Sequence, residues 1–188
     1  MNEIWLYLFL VLLIAYIYIG LHISRRYGAK IVGWPAAVKI KDYTLFLLAI
    51  PQTGLILNAL LVLYNMVYGE IPVLIGFIIM LTGMGFNFIV RGNLGKNWVP
   101  LSKTTEGQEL ITKGIYSKIR HPSYLSILIL FSGIAIISWN LYGLLFYILA
   151  LIAFAVRIKK EEKELIIKFG DEYKKYKEET PMLIPKLM

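Results

Sequence analysis

Two short runs hold most of the residues that could do chemistry. One is Arg120-His121-Pro122-Ser123-Tyr124, preceded by Tyr116, at the end of a polar segment spanning 91–123. The other is Arg157-x3-Glu161-Glu162, at the head of a charged tail. Arg157 and Glu161 are four residues apart, so on a helix they share one face. Locally they read as an ion pair worth about 0.2–0.5 kcal/mol, with the cation first, the weaker order. Arg120-His121-Pro122 opens an apolar run, and proline suits a helix's first turn, where its missing N–H costs nothing. By position alone, His121 reads as an interfacial polar residue at a helix start. The chain has no cysteine, which excludes disulfides, thiolate catalysis and Cys-type zinc sites. Its two histidines, His22 and His121, stand far apart, so no metal site is expected. Glycines 92, 95, 107 and 114 mark turns. Their spacing is not Gly-x-Gly-x-x-Gly and no strand precedes them, so neither a Rossmann dinucleotide site nor a P-loop is expected.

The elements that must position these residues are membrane spans. Of 188 residues, 58% are hydrophobic and 17% charged, against about half and about a quarter in an ordinary soluble domain. The apolar residues come in five stretches: Ile4–Ile23, Tyr43–Tyr68, Ile71–Val90, Tyr124–Trp139 and Leu141–Val156. The first three have the roughly 20 residues needed to cross a hydrocarbon core. The last two are short, touch at Asn140 and read as a helical hairpin. The runs lack the period-2 alternation of a barrel strand, so helices are expected. The fold class is therefore an all-α membrane protein with five transmembrane helices, the last two a helical hairpin, and a cytoplasmic C-terminal helix.

All 20 basic residues lie in 24–42, in 91–123 or after 156, whereas Glu3 and Glu70 mark the other side. The positive-inside rule then puts the N-terminus outside and the C-terminus inside. The first span is not a secretory signal, because Met-Asn-Glu carries no positive charge. The net charge of +8 is thus an orientation signal, with attraction to anionic membrane lipid as its second use. No nucleic-acid partner is expected. Everything that could do chemistry falls on the inner side, as suits an integral, multi-pass membrane enzyme with its active site facing the cytoplasm.

Polar residues within the spans are few. Asn58, Asn65 and Asn87 are expected to link helices, and Gly76, Gly83 and Gly85 to let helices approach closely. In the tail, Leu165, Phe169, Tyr173 and Tyr176 form a helical stripe, interrupted at Gly170-Asp171 and ended by Pro181 and Pro185.

Gly114-Ile115-Tyr116-x3-Arg120-His121-Pro122-Ser123-Tyr124 resembles the signature of the isoprenylcysteine carboxyl methyltransferase family, in its prokaryotic type. Arg157-x3-Glu161-Glu162-x2-Leu165-x3-Phe169-Gly170-Asp171-Glu172-Tyr173-x2-Tyr176 resembles that family's second motif, and Pro181-x3-Pro185 matches its close. Arg-His-Pro with the Glu-Glu motif is shared with phospholipid methyltransferases and, more distantly, with sterol-reductase-like proteins. The resemblance covers residues 91–188. It implies one membrane methyltransferase domain, with three anchoring spans in 1–90 and a cofactor-binding and catalytic half in 91–188. It implies S-adenosylmethionine as cofactor, contacted by Gln108, Glu109, Leu110, Ile111, Tyr116, His121, Pro122, Ser123, Tyr124 and Glu161. A further contact falls near Leu101. Arg157 and Glu161 are the implied catalytic residues, and Arg157 faces the substrate carboxylate.

The chemistry of these residue types agrees. A sulfonium is a cation, and Glu161 with the faces of Tyr116 and Tyr124 suits it. A carboxylate acceptor is already ionised at neutral pH and needs no general base, only a cation such as Arg157 to hold it bidentately. An amine acceptor would first lose a proton, for which His121 and Glu162 are the nearby groups. The expected activity is O-methylation of a lipophilic, prenylcysteine-like carboxylate on a small molecule or lipidated peptide. The rival readings are a phospholipid or amine N-methyltransferase and a sterol-reductase-like enzyme using NADPH.

Overall fold

A computed structural model of the chain describes residues 3–26, 42–65, 69–97 and 107–185. Among these residues there are α-helices and short 3-10 turns, and no strand. The helices are α1 (Glu3–Arg26), α2 (Tyr43–Asn65), α3 (Glu70–Leu94), α4 (Pro122–Ser138), α5 (Leu141–Phe169) and α6 (Asp171–Glu179). Four are long and apolar enough to cross a membrane: Glu3–Ile23 within α1, then α2, α3 and α5. Their outward sides carry large apolar residues such as Val11, Ile14, Leu61, Ile78 and Ile152, which would be a liability in water and are suited to lipid.

The last two apolar elements differ from expectation. They are not a matched short pair. α4 has 17 residues, but α5 continues for 29 residues, well past Val156, and carries Arg157, Glu161 and Glu162 on one unbroken helix. Hydropathy ends where the charges begin, yet Arg, Lys, Glu and Leu are all good helix formers. The helix stops at Gly170, whose φ of 55° lies in the left-handed region that favours glycine. The turn between α4 and α5 is tight: Trp139 adopts φ 36°, and the Asn140 side chain caps α5 by accepting from the Gly143 N–H at 2.8 Å.

Helices in lipid gain little from burying apolar surface against each other, so packing and hydrogen bonds hold them together. α3 and α4 meet through glycines. A Cβ on Gly76 would lie 2.6 Å from the Gly133 carbonyl oxygen, and one on Gly83 would strike the Leu130 backbone. Gly85, expected to act alike, has nothing near its would-be Cβ and takes no part. Asn87 ties three helices together: it accepts from the Tyr16 hydroxyl at 3.1 Å and donates to Ser126 at 2.8 Å. Asn58 pairs with Asn140 through two side-chain hydrogen bonds of 3.0 and 3.3 Å. Asn65, by contrast, donates to the Leu61 carbonyl on its own helix at 2.8 Å. These contacts fix α4 between α3, α2 and α5, so that its first turn opens at the end of the bundle where the polar residues gather.

Candidate active site

At that end lies a cavity of about 340 Å³. Six parts of the chain build it. The start of α2 supplies Leu45, Leu48 and Gln52, and the end of α3 supplies Arg91 and Leu94. The segment before α4 supplies Gln108, Glu109, Leu110, Ile111, Tyr116, Arg120 and His121, and α4 itself Ser123, Tyr124 and Ile127. From α5 and α6 come Phe154, Arg157, Glu161, Leu165, Phe169, Tyr173 and Tyr176. The helical stripe of the tail thus faces inward. Of the residues predicted for the site, only Pro122 is not in this lining; it is buried at the first turn of α4. The position near Leu101 lies outside the described residues.

The 107–111 segment is pinned by Asn97, whose side-chain oxygen accepts from the Glu109 N–H at 2.9 Å. Beyond it, the phenol of Tyr176 donates to the Tyr116 carbonyl at 2.6 Å. Burial pushes the Tyr116 and Tyr173 phenols well above their usual range and the Tyr176 phenol up to about 12. All three stay neutral at physiological pH. They offer aromatic faces and O–H donors, not bases. The Tyr173 hydroxyl is buried against the cavity without a hydrogen-bond partner among the described residues, so it has a donor to offer a bound polar group.

Arg157 and Glu161 are joined through Tyr124. The Tyr124 hydroxyl accepts from Arg157 Nε at 3.1 Å and donates to Glu161. Arg157 is almost fully buried and reaches further, donating from Nη1 to Thr44 Oγ1 at 2.8 Å. Thr44 in turn donates to Asp42 at 2.6 Å, and Asp42 lies 3.6 Å from Arg157 and 2.8 Å from Lys160. The simple reading of Arg157 and Glu161 as a local ion pair therefore gives way to a relay running from α2 through α5 to α4.

His121 stands at a helix start, as its place in the sequence suggests, but is buried there. It occupies the N-cap position of α4 without a side-chain cap, and its ring is buried, with Nε2 3.3 Å from Glu162. Glu162 is the hub of a second cluster. Arg120 donates to it from Nε at 3.1 Å and Nη2 at 2.8 Å, and Lys177 reaches it at 2.7 Å. Arg120 also donates to the carbonyls of Lys177 and Thr180. The backbone N–H groups of Arg120 and His121 donate to Pro181 and Met182 at 2.9 and 3.0 Å. This cluster straps the C-terminal segment under α4 and holds α6 over the cavity.

Asp42, Thr44 and Asn97 join the site from outside the two motif-bearing runs. Asp42-x-Thr44 is a small signal, an acid and a hydroxyl at the edge of an apolar run in an otherwise basic segment. Nothing local ties it to Arg157. No group of three or more His, Cys, Asp or Glu arranged to hold a metal ion occurs among the described residues.

A helical bundle of membrane-spanning length, with a cavity at the end where its charges gather, defines the class. Within it, the chain belongs to the phospholipid methyltransferase family, whose sequence model matches residues 71–172, just over half of its length. It is similar to the protein-S-isoprenylcysteine O-methyltransferase of Schizosaccharomyces pombe, 31% identical over 112 residues, covering 59% of this chain and 48% of the relative. The Xenopus laevis protein of the same name is 35% identical over 125 residues, covering 63% and 40%. Methanethiol S-methyltransferase 1 of Bradyrhizobium diazoefficiens is 39% identical over 71 residues, covering 38% and 24%. The chain spans less than half the length of each. The structure of the eukaryotic intramembrane Ras methyltransferase, an isoprenylcysteine carboxyl methyltransferase, superposes with a TM-score of 0.58 at 21% identity, covering 83% of this chain and 55% of that one. At that identity the likeness speaks for the fold alone.

Proposed function

We propose that the chain is an integral membrane methyltransferase that uses S-adenosylmethionine and methylates the carboxylate of a lipophilic, prenylcysteine-like acceptor, either a small molecule or a lipidated peptide. The relay Arg157–Tyr124–Glu161 on the cavity wall carries this reading. It sets a guanidinium and a carboxylate on one face of α5, with a phenol between them.

The donor set fits the cofactor. Glu161 supplies the charge opposite to a sulfonium, and Tyr116, Tyr124, Phe169 and Tyr173 supply aromatic faces. Gln108, Glu109, Leu110 and Ile111 line the same cavity through a segment held by Asn97. When bound, the cofactor supplies an electrophilic methyl on sulfur. The protein's part is to hold the acceptor oxygen in line with it, and such positioning is a large catalytic term. Arg157 meets the acceptor carboxylate with a guanidinium cation whose plane is set by its bonds to Tyr124 and Thr44. Leu45, Leu48, Ile127 and Phe154 offer the apolar wall that a lipid-like acceptor needs.

A carboxylate acceptor is favoured over an amine by the cation Arg157 on the cavity wall. Glu162, one of the two nearest bases, is held by Arg120 and Lys177 outside the cavity lining and is not disposed to remove a proton from an acceptor. The charge distribution supports five spans, N-terminus outside and C-terminus inside, with the site at the cytoplasmic interface. It also supports a single domain, in which 1–90 anchors the chain and lends α2 to one wall while 91–188 carries cofactor and chemistry.

The test is calorimetry and turnover with purified protein in lipid nanodiscs. S-adenosylhomocysteine should bind, and N-acetyl-S-farnesylcysteine should accept a labelled methyl group as a base-labile ester. Transfer to phosphatidylethanolamine but not to the prenylcysteine would favour N-methylation. Binding of NADPH in place of S-adenosylhomocysteine would end the methyltransferase reading.

A further inference from the structure

We propose that Asp42, acting through Thr44, positions Arg157 and makes its end of the cavity selective for an acceptor bearing one negative charge. This rests on the methyltransferase reading above.

The geometry is specific. Asp42 is fully buried at the head of α2 and touches two cations of α5: Lys160 at 2.8 Å and Arg157 at 3.6 Å. Positions 157 and 160 lie one helical turn apart, so both chains reach the same carboxylate. Thr44 stands between Asp42 and Arg157, accepting from Nη1 at 2.8 Å and donating to Asp42 at 2.6 Å. On the other edge of the guanidinium, Nε donates to the Tyr124 hydroxyl at 3.1 Å. Held at both edges, the guanidinium plane has little freedom to rotate. An arginine is useful for binding a carboxylate only when its planar fork is fixed toward it. Lys160 is less buried and stacks over Tyr43, its Nζ 4.7 Å from the ring centre. It shares Asp42 and so keeps that carboxylate from drawing Arg157 out of the cavity wall.

The charges also bear on selectivity. Asp42 sets a fixed negative charge 3.6 Å from Arg157, so a second negative charge on the acceptor would face Asp42 in a buried site, and such a charge is strongly disfavoured. Asp42 is thus both the support for Arg157 and the limit on what Arg157 accepts.

The experiment uses the full-length protein in nanodiscs at pH 8, with two prenyl ligands of equal tail: S-farnesylthioacetate, a monoanion, and farnesyl phosphate, a dianion at that pH. Binding of each is measured beside that of S-adenosylhomocysteine. Wild type is expected to prefer the carboxylate. Thr44→Val should weaken carboxylate binding about tenfold, the scale of one lost hydrogen bond to a charged group, and Thr44→Ser should restore it. Affinity for S-adenosylhomocysteine should stay within about twofold in both. Asp42→Asn should shift the carboxylate-to-phosphate preference toward phosphate by about tenfold or more. If wild type binds S-adenosylhomocysteine and the carboxylate, but neither Thr44→Val nor Asp42→Asn changes selectivity, the inference fails alone. If Asp42→Asn does not fold, the Thr44 pair decides: equal loss in Val and Ser variants, or parallel loss of S-adenosylhomocysteine, overturns it. If wild type binds neither ligand, the functional reading falls and this inference with it.

Discussion

Glu161 and Glu162 are adjacent on α5 and turn to opposite tasks. Glu161 lines the cavity and takes the Tyr124 hydroxyl, while Glu162 lies buried beneath Arg120, His121 and Lys177. Successive helical positions differ by about 100° in direction, so one step along the chain separates a binding group from a structural one. Glu162→Gln should therefore cost stability, about 3–5 kcal/mol as for other broken buried ion pairs, read as a lower melting temperature in detergent. Glu161→Gln should leave the melt nearly unchanged and weaken S-adenosylmethionine, which carries the sulfonium, at least tenfold by calorimetry. The reverse pattern would sink the assignment.

Arg157→Lys separates charge from geometry. Lysine keeps the positive charge and loses the fork that serves Tyr124 and Thr44 together. The Michaelis constant for a prenylcysteine acceptor should rise about tenfold or more, while S-adenosylhomocysteine affinity stays near wild type. A lysine variant with wild-type kinetics would mean that a point charge suffices and the fork is irrelevant.

The packing of α3 on α4 admits a sharp comparison. A Cβ on Gly133 would sit 2.5 Å from the Met80 backbone nitrogen, whereas one on Gly85 meets nothing within 4 Å. Gly133→Val should destabilise by about 1–3 kcal/mol or more through forced separation of the helices. Gly85→Ala should be neutral or slightly stabilising, since alanine is the better helix former. Thermal melts of the two variants side by side check this, and a neutral Gly133→Val would contradict the close approach.

Much of the architecture is legible because length and hydropathy encode it directly. Runs such as Ile71–Val90 must be helical in lipid, and the helix ends at Pro122, Asn140 and Gly170 follow from residue chemistry. The extent of α5 is not legible in hydropathy, because the pattern changes at Arg157 while the helix does not. Within the site, residue type does not separate Arg120 from Arg157. Both are buried arginines at the cavity, and only their tertiary partners tie one to Glu162 and the C-terminal strap and the other to Thr44 and Tyr124. Asp42 is hidden for the same reason. Its partners at 157 and 160 are more than a hundred residues away, and no local spacing announces them.

The strap offers one pH-dependent test. Tyr176 donates to the Tyr116 carbonyl from a buried position, and burial raises its phenol from the ordinary 10 to about 12. A group whose pKa is higher in the folded state binds its proton more tightly there. Its contribution to stability is therefore complete below pH 10 and is lost as the pH climbs toward 12. Tyr176→Phe removes both the hydrogen bond and the titration. The stability gap between wild type and this variant should be constant below pH 10 and narrow between pH 10 and 12. In the same range, the wild-type-minus-variant difference in tyrosinate absorbance should titrate near 12. A difference titration centred at 10 would show the phenol to be solvated, and the link from α6 to the segment before α4 would then have to be abandoned.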